Sequence, residues 1–382
     1  MSTPHASDTF ARGLCSPLPV PAADPSPHSA AGLGAARPEP VAATPPPEPF
    51  WLGPQQVRRP GLGRLAGSAP RAELKRGTEY FLLPVKSILN HCDSDRVPFE
   101  WTVNPYRGCE FGCRYCYARY THEFMDLGGG EFASKIFIKQ NAGFIFARDL
   151  ASHDASKHIA IGTATDPYQP AERGHGNTRS ILEKIAAREG LSLSITTKSN
   201  LILRDLGLLT HISKNSSLSI NISVTTLRTR LARLLEPRAP RPDLRLAAVR
   251  ALRDAGIRAG VFALPVLPGL TDRPEDLDAL ARAARDAGAL WLGGGALFLM
   301  PSAYKEFLPF LEEKFPKLVK GYRKWYARNA YAPEDYRRKL SALFASLREK
   351  YSLASRPLPD AVRLPVPDLQ SQFPFAAPPA AR

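Results

Sequence analysis

The 382-residue sequence has no run of 18 or more apolar residues, which argues against a membrane-spanning helix. Its start, MSTPHASDTF, lacks a basic stretch followed by an apolar one, so no secretory leader is expected and the chain is read as cytoplasmic. Cysteine is scarce: five residues, an odd number that does not make a secreted disulfide framework. Acidic residues are short of basic ones, 36 against 51, leaving a formal net charge of +15. That surplus suits an anionic partner or a solvated, arginine-rich surface. No basic cluster matches a known nucleic-acid-binding motif. His153, His158, His175 and His211 have no metal-ligand spacing and read as ordinary polar residues.

What is present is a chain with 44% hydrophobic residues, enough for a sizeable core, between two proline-rich ends. Residues 1–75 hold fifteen of the 37 prolines and show no hydrophobic periodicity, so a disordered tail is expected there. His5, Cys15 and His28 fall in it and are given no role. Order is expected from about Phe81, and the domain boundaries are placed at 76–300, 301–352 and a second loose tail over 353–382.

Between these ends, strand-like apolar runs alternate with amphipathic stretches. Strands are expected over residues 100–103, 158–161, 191–196, 218–224 and 260–264, with a last one in 289–300. Helices are expected over 179–188, 242–255 and 274–287. The alternation predicts βα units around a parallel sheet. Six such strands make an α/β fold, a partial (β/α)6 TIM-type barrel, which carries its chemistry at the C-terminal strand ends. Residues 301–352 read as a C-terminal helical extension, with twelve Lys/Arg against six Asp/Glu. Tyr304, Phe307, Tyr322, Trp325 and Tyr326 recur there at helical spacing and are read as packing residues.

The chemical signal lies after the first barrel strand. Cys109, Cys113 and Cys116 stand in the spacing C-x3-C-x2-C, in a loop that also holds Gly108, Gly112 and Tyr115. Thiolates ligate Fe–S clusters, and electron-transfer clusters commonly take four. Three thiolates on a cubane leave one iron open to an external ligand, which suits catalysis. Gly108 and Gly112 are read as letting the backbone wrap a bulky cofactor, and Tyr115 as its cover. The alternative is a zinc-stabilised nucleic-acid-binding module without catalysis. Structural zinc takes four ligands, so His91, Cys92 or His122 would have to supply the fourth. A cluster that only senses redox state is a third reading.

C-x3-C-x2-C with an aromatic before the third cysteine resembles the signature of radical S-adenosylmethionine (SAM) enzymes. The flanks NPYRGCEFGCRYCYAR, GTATDPYQPAE and LEPRAP look like the branch related to spore photoproduct lyase, over about residues 81–300. The resemblance implies a [4Fe–4S] cluster on Cys109, Cys113 and Cys116, S-adenosyl-L-methionine bound at its open iron, and a reductant such as flavodoxin or ferredoxin. It implies reductive cleavage of the cofactor to a 5′-deoxyadenosyl radical. By the same resemblance Thr165, or the backbone of 162–164, contacts the cofactor's amino group. Lys198 pairs with its carboxylate, Ser223 meets the ribose and Ala263 packs near the adenine. The lyase carries a hydrogen-donating cysteine at the end of its second strand; Thr163 stands there in this chain, with an O–H bond too strong for that task. The substrate stays open: nucleic acid, peptide or small metabolite. Asp166, Tyr168, Gln169 and Glu172 form a polar loop that either contacts substrate or closes a turn, and Glu236 and Arg238 are read as an ion pair holding a loop.

Overall fold

The computed structural model describes residues 61–357 apart from 76, 95 and 96. Most of both predicted tails, with His5, Cys15 and His28, therefore lies outside the described residues. Eleven strands lie among the described residues: β1 (Arg71–Lys75), β2 (Thr78–Leu83), β3 (Leu89–His91), β4 (Trp101–Val103), β5 (Tyr106–Arg107), β6 (Lys135–Lys139), β7 (Ile159–Ile161), β8 (Ser192–Thr197), β9 (Ser217–Ser223), β10 (Arg258–Val266) and β11 (Leu292–Ala296).

They form two sheets. The larger runs β11-β10-β9-β8-β7-β4-β3. Every neighbouring pair from β4 to β11 is parallel, and β3 joins the edge antiparallel to β4. These six parallel strands are the ones the alternation predicts, and the sheet is the open barrel wall. Helices Ala142–Ala151, Asn177–Ala186, Pro242–Asp254 and Pro274–Asp286 cover one face. Their apolar sides meet Ile161, Ile195, Ile220 and Val261 in one buried cluster. The opposite, interior face is polar: Asn221 takes the Trp291 indole N–H at 3.0 Å, and His158 lies 2.8 and 2.9 Å from the hydroxyls of Ser192 and Ser194. A parallel strand with one hydrophobic and one polar side is what a partial barrel around a ligand requires.

The second sheet, β1-β2-β6-β5, was not expected. It also moves the first domain boundary, because the cut at 75/76 runs through the β1–β2 hairpin, in which Arg71 pairs with Phe81. Order thus reaches back past Phe81 to the helix Leu62–Gly67.

The predicted C-terminal extension divides in two. Helices Pro301–Lys314 and Pro316–Trp325 bury Tyr304, Phe307, Tyr322 and Tyr326 against the loop bearing the three cysteines. Helix Glu334–Tyr351 instead puts Phe344 and Leu347 into the cluster of the barrel helices. It is the helix that covers β11. Leu353 is buried and Ala354 bridges Trp291, so the fold continues past the predicted boundary at 352.

Candidate active site

The three-cysteine loop leaves the C-terminal end of β4 and is pinned on both sides. Asn104 ties it to the end of β7, donating to Thr163 Oγ1 at 3.0 Å and accepting from the Ala164 N–H at 2.8 Å. β5 then pairs with β6, which fastens the loop to the second sheet. Gly108 sits at φ +78°, and a Cβ there would stand 2.7 Å from the Lys135 carbonyl. Gly112 is at φ +62°, with Ala133 3.4 Å from an added Cβ. Gly108 thus serves the close approach of the loop to β6, and Gly112 its approach to Ala133, just before that strand.

Four polar side chains hold the same turn. Thr165 donates to the Gly108 carbonyl at 2.6 Å, and Gln169 reaches that carbonyl at 3.1 Å. Gln169 also accepts from the Glu110 N–H at 3.0 Å. The Glu110 carboxylate accepts from the Tyr80 hydroxyl and the Ala171 N–H at 2.8 and 2.6 Å. Arg119, buried at 3% exposure, donates to the Cys113 carbonyl at 3.1 Å and the Gly129 carbonyl at 2.8 Å.

Cys109 and Cys113 are buried and Cys116 is half-buried. Burial pushes all three thiols up, Cys113 to about 12. Lys198 opposes this at Cys113, and Arg119 followed by Lys198 opposes it at Cys116. Three soft donors beside two cations suit an electron-poor metal group. Among the described residues, a fourth protein ligand for zinc is not at hand. His122 Nε2 sits 2.9 Å from the Lys135 carbonyl, with its ring against Phe132 and Phe137. His91 pairs with Trp101 at the start of β4, so it and Cys92 lie at the opposite end of the sheet from the loop. That register also removes Cys92 as a hydrogen donor at this site. Among the described residues, no three His, Cys, Asp or Glu side chains are placed to hold a single metal ion. The set fits a polynuclear cluster with three thiolate ligands better than one tetrahedral ion.

The strand ends were the other sequence expectation. Lys198 follows β8, and Thr197 pairs with Ile222, so Lys198 is level with Ser223 at the end of β9. Its Nζ is 6.0 Å from the Tyr115 ring centroid. Burial works against its charge, but Cys113 and Glu236 outweigh that and hold its pKa above the ordinary lysine value. Ser223 pairs with Phe262 on the interior face, and its hydroxyl makes no hydrogen bond among the described residues. Lys198, Ser223 and Cys113 are thus brought to one place.

Two expected contacts are not. Ala263 is one residue out of phase with Phe262; it lies in the helix-facing cluster with Val261 and Leu277, so its side chain is turned away from the interior. Phe262 is the interior neighbour there. The Thr165 hydroxyl, buried, donates to Gly108 and accepts from Gln169 at 2.9 Å, so it is used within the protein.

The polar loop closes a turn. Asp166 accepts from Thr197 Oγ1, Lys198 N and Tyr168 N at 2.6, 2.7 and 2.9 Å. Glu172 accepts from Tyr106 at 2.5 Å and from Arg204 at 2.7 Å. Nor does Glu236 pair with Arg238. Its partner is Arg245, at 2.5 Å with both side chains 1% exposed, while Arg238 donates to Thr78 and the Ala133 carbonyl. The same carboxylate accepts from Tyr115 and Thr225, and Arg245 lowers it to about 2 against the cost of burial. Tyr115 is therefore fixed in place beside the thiols. Sequence reasoning missed Arg119 and Arg245, since nothing local marks a surface-type residue as buried.

This arrangement can be set beside known proteins. The family model described as the Radical SAM superfamily matches residues 103–284. An uncharacterized protein of Mycobacterium tuberculosis (strain ATCC 25618 / H37Rv) is 37% identical over 306 residues, covering 78% of this chain and 90% of its own. An uncharacterized protein of Methanocaldococcus jannaschii is 32% identical over 174 residues, covering 45% of this chain and 62% of its own. Among solved structures, spore photoproduct lyase complexed with dinucleoside spore photoproduct aligns with a TM-score of 0.53 at 19% identity, over 71% of this chain and 79% of the lyase. A lyase mutant with bound AdoMet and the same dinucleoside aligns equally, at 18% identity over the same shares. These last two are likenesses of fold. With the family model spanning the cysteine loop and the four parallel strands β7 to β10, the chain belongs to the radical SAM superfamily and is a radical SAM enzyme.

Proposed function

We propose that Cys109, Cys113 and Cys116 hold a [4Fe–4S] cluster whose open iron takes S-adenosyl-L-methionine, and that the protein cleaves this cofactor reductively in the cytoplasm. The observation that carries the reading is the convergence of two buried thiols and one half-buried thiol, with Lys198 beside Cys113 and Arg119 beside Cys116, and an unengaged Ser223 hydroxyl at the neighbouring strand end. When bound, the cluster and cofactor would supply the one-electron chemistry that yields a 5′-deoxyadenosyl radical.

The chain's own residues supply placement. Lys198, a point charge held charged by its surroundings, meets the methionine carboxylate. Ser223 offers its hydroxyl to the ribose, and Phe262 takes the place on the interior wall first given to Ala263. Thr165 acts through Gly108 as a positioning residue, leaving the backbone at 162–164 to face the amino group. Tyr115, locked by Glu236 and Thr225, covers the cluster from water.

For the substrate we favour a nucleic acid. The lyase of similar fold binds a dinucleoside photoproduct. In this chain Lys317, Lys320 and Lys324 are exposed on the helix beside the end of β10, where Tyr322 donates to the Pro268 carbonyl at 2.8 Å. With Thr163 in place of the lyase's cysteine, the reaction on that substrate is a different one.

The test is anaerobic reconstitution with iron and sulfide, then dithionite and SAM, with 5′-deoxyadenosine quantified. The wild type is expected to form it and Cys113→Ala to form none. Binding of zinc with no iron uptake would overturn the reading.

A further inference from the structure

Helix Thr229–Leu235 lies directly over the three-cysteine loop. Leu231 and Leu235 point inward and share one buried cluster with Cys109, Phe111, Cys113 and Tyr115. The outward side of the same segment is basic. Arg228, Arg230, Arg233, Arg238 and Arg241 are exposed; Arg228 pairs with Asp276 and Arg241 with Asp243, which leaves Arg230, Arg233 and Arg238 as the unpaired cations of this face among the described residues, and Glu236 is buried with Arg245. Arg230, Arg233 and Leu234 share a face by helical spacing, and Leu234 is 39% exposed. An apolar point inside a cationic rim is therefore presented to solvent above the cysteines.

Two backbone hydrogen bonds join this cover to the loop. The Arg114 N–H, next in the chain after Cys113, donates to the Leu235 carbonyl at 2.9 Å. The Arg238 N–H donates to the carbonyl of Phe111, between Cys109 and Cys113, at 3.3 Å. A surface that merely bound a polyanion would need no such connection. A surface that delivers electrons does, because tunnelling decays less steeply through bonds and hydrogen bonds than through gaps.

We propose that this arginine face is the docking site for an acidic one-electron carrier protein. It rests on the cluster assignment made above. The transfer moves one electron from the carrier to the cluster, with no bond made or broken and the carrier oxidised by one electron. Charge complementarity speeds the encounter, and small electron-transfer interfaces stay weak and salt-sensitive.

The test uses the full chain, reconstituted, with reduced flavodoxin as the acidic carrier and dithionite as the small control reductant. The rate of cluster bleaching is followed by anaerobic stopped flow in the wild type and in Arg230→Glu/Arg233→Glu. Flavodoxin binding by calorimetry gives a second readout. The expected result is a fall of roughly tenfold or more in the flavodoxin-driven rate and affinity at low salt, closing as salt is raised, with the dithionite rate unchanged. An unchanged flavodoxin rate, or an equal fall with both reductants, overturns the proposal. So does loss of single-stranded DNA binding with carrier binding intact, which would make this face a nucleic-acid surface. If the double variant does not fold, Arg230→Glu alone carries the same comparison, since Arg230 makes no ion pair among the described residues. Failure of the wild type to assemble a cluster, or to form 5′-deoxyadenosine with dithionite, would instead sink the underlying reading.

Discussion

At the scale of single residues, Lys139 shows what the second sheet demands. It is 5% exposed at the end of β6, and its side chain makes no hydrogen bond among the described residues. Burial, reinforced by nearby Arg107 and only partly opposed by Asp149, brings its pKa down to about 7. The unfolded chain keeps this proton up to the ordinary lysine value near 10.5, so between pH 7 and 10.5 it binds more protons than the folded one. Stability should therefore rise with pH across that window, and the full cost of burying the charge is felt below pH 7. Lys139→Met is expected to stabilise the protein by roughly 2–4 kcal/mol at pH 6 and by little near pH 10. Urea melts at the two pH values measure this, and a variant that gains nothing at pH 6 would show that the amine is solvated. Thr165 and Gln169 make the opposite case, polar groups whose bonds are all met. Thr165→Val strips Gly108 of its 2.6 Å donor and should cost about 1–3 kcal/mol. The reconstituted variant should also release iron to a chelator several-fold faster than the wild type; equal release would return Thr165 to the role of a direct cofactor ligand.

Among the elements, the covering helix Thr229–Leu235 and the helix Pro242–Asp254 are joined by the Glu236–Arg245 pair. Breaking a buried pair leaves an uncompensated charge, so Arg245→Met should cost about 3–5 kcal/mol, and adding Glu236→Gln should restore part of it. Glu236 is held near 2 by Arg245 and Lys198, below its ordinary value of 4.5. Its contribution is present above pH 4.5 and is lost as pH falls toward 2, so Glu236→Gln should flatten the acid limb of a stability–pH curve; an unchanged limb would refute the pairing. These elements also show what the sequence allowed one to read. The six barrel strands were visible because helix-facing residues such as Leu193 and Ile195 alternate with Ser192, Ser194 and Thr196, and because amphipathic helices separate them. The second sheet was not, since β1 is exposed along its whole length and β5 has only two residues. At the site, the cysteines stand out in the sequence by their spacing and Lys198 by its strand-end position, and the proposed cofactor site rests on both. Ala263 lies on the helix-facing side because a resemblance of motifs fixes position along a strand but not which face a residue takes, and a one-residue shift turns a side chain to the other side.

For the whole molecule the question is what completes an open barrel at β11. The chain runs from β11 through two helices that buttress the cysteine loop, then returns as Glu334–Tyr351 to cover β11 from outside. The approach is close: a Cβ on Gly294 would stand 2.2 Å from the Phe344 ring, and Phe344 is 1% exposed. Ala354 then hydrogen-bonds with Leu290 and Leu292 at 3.0 and 2.9 Å, closing the wall by backbone. The C-terminal helix is in this way a structural part of the catalytic barrel, although it lies beyond the residues matched by the family model. Gly294→Ala should therefore push helix and strand apart, costing about 1–3 kcal/mol by overpacking and lowering Tm by a few degrees. Combining it with Phe344→Leu should recover much of that loss, because the smaller side chain vacates the space the methyl needs. If the two changes simply added, Gly294 and Phe344 would not be in contact, and the helix would have to be removed from the barrel.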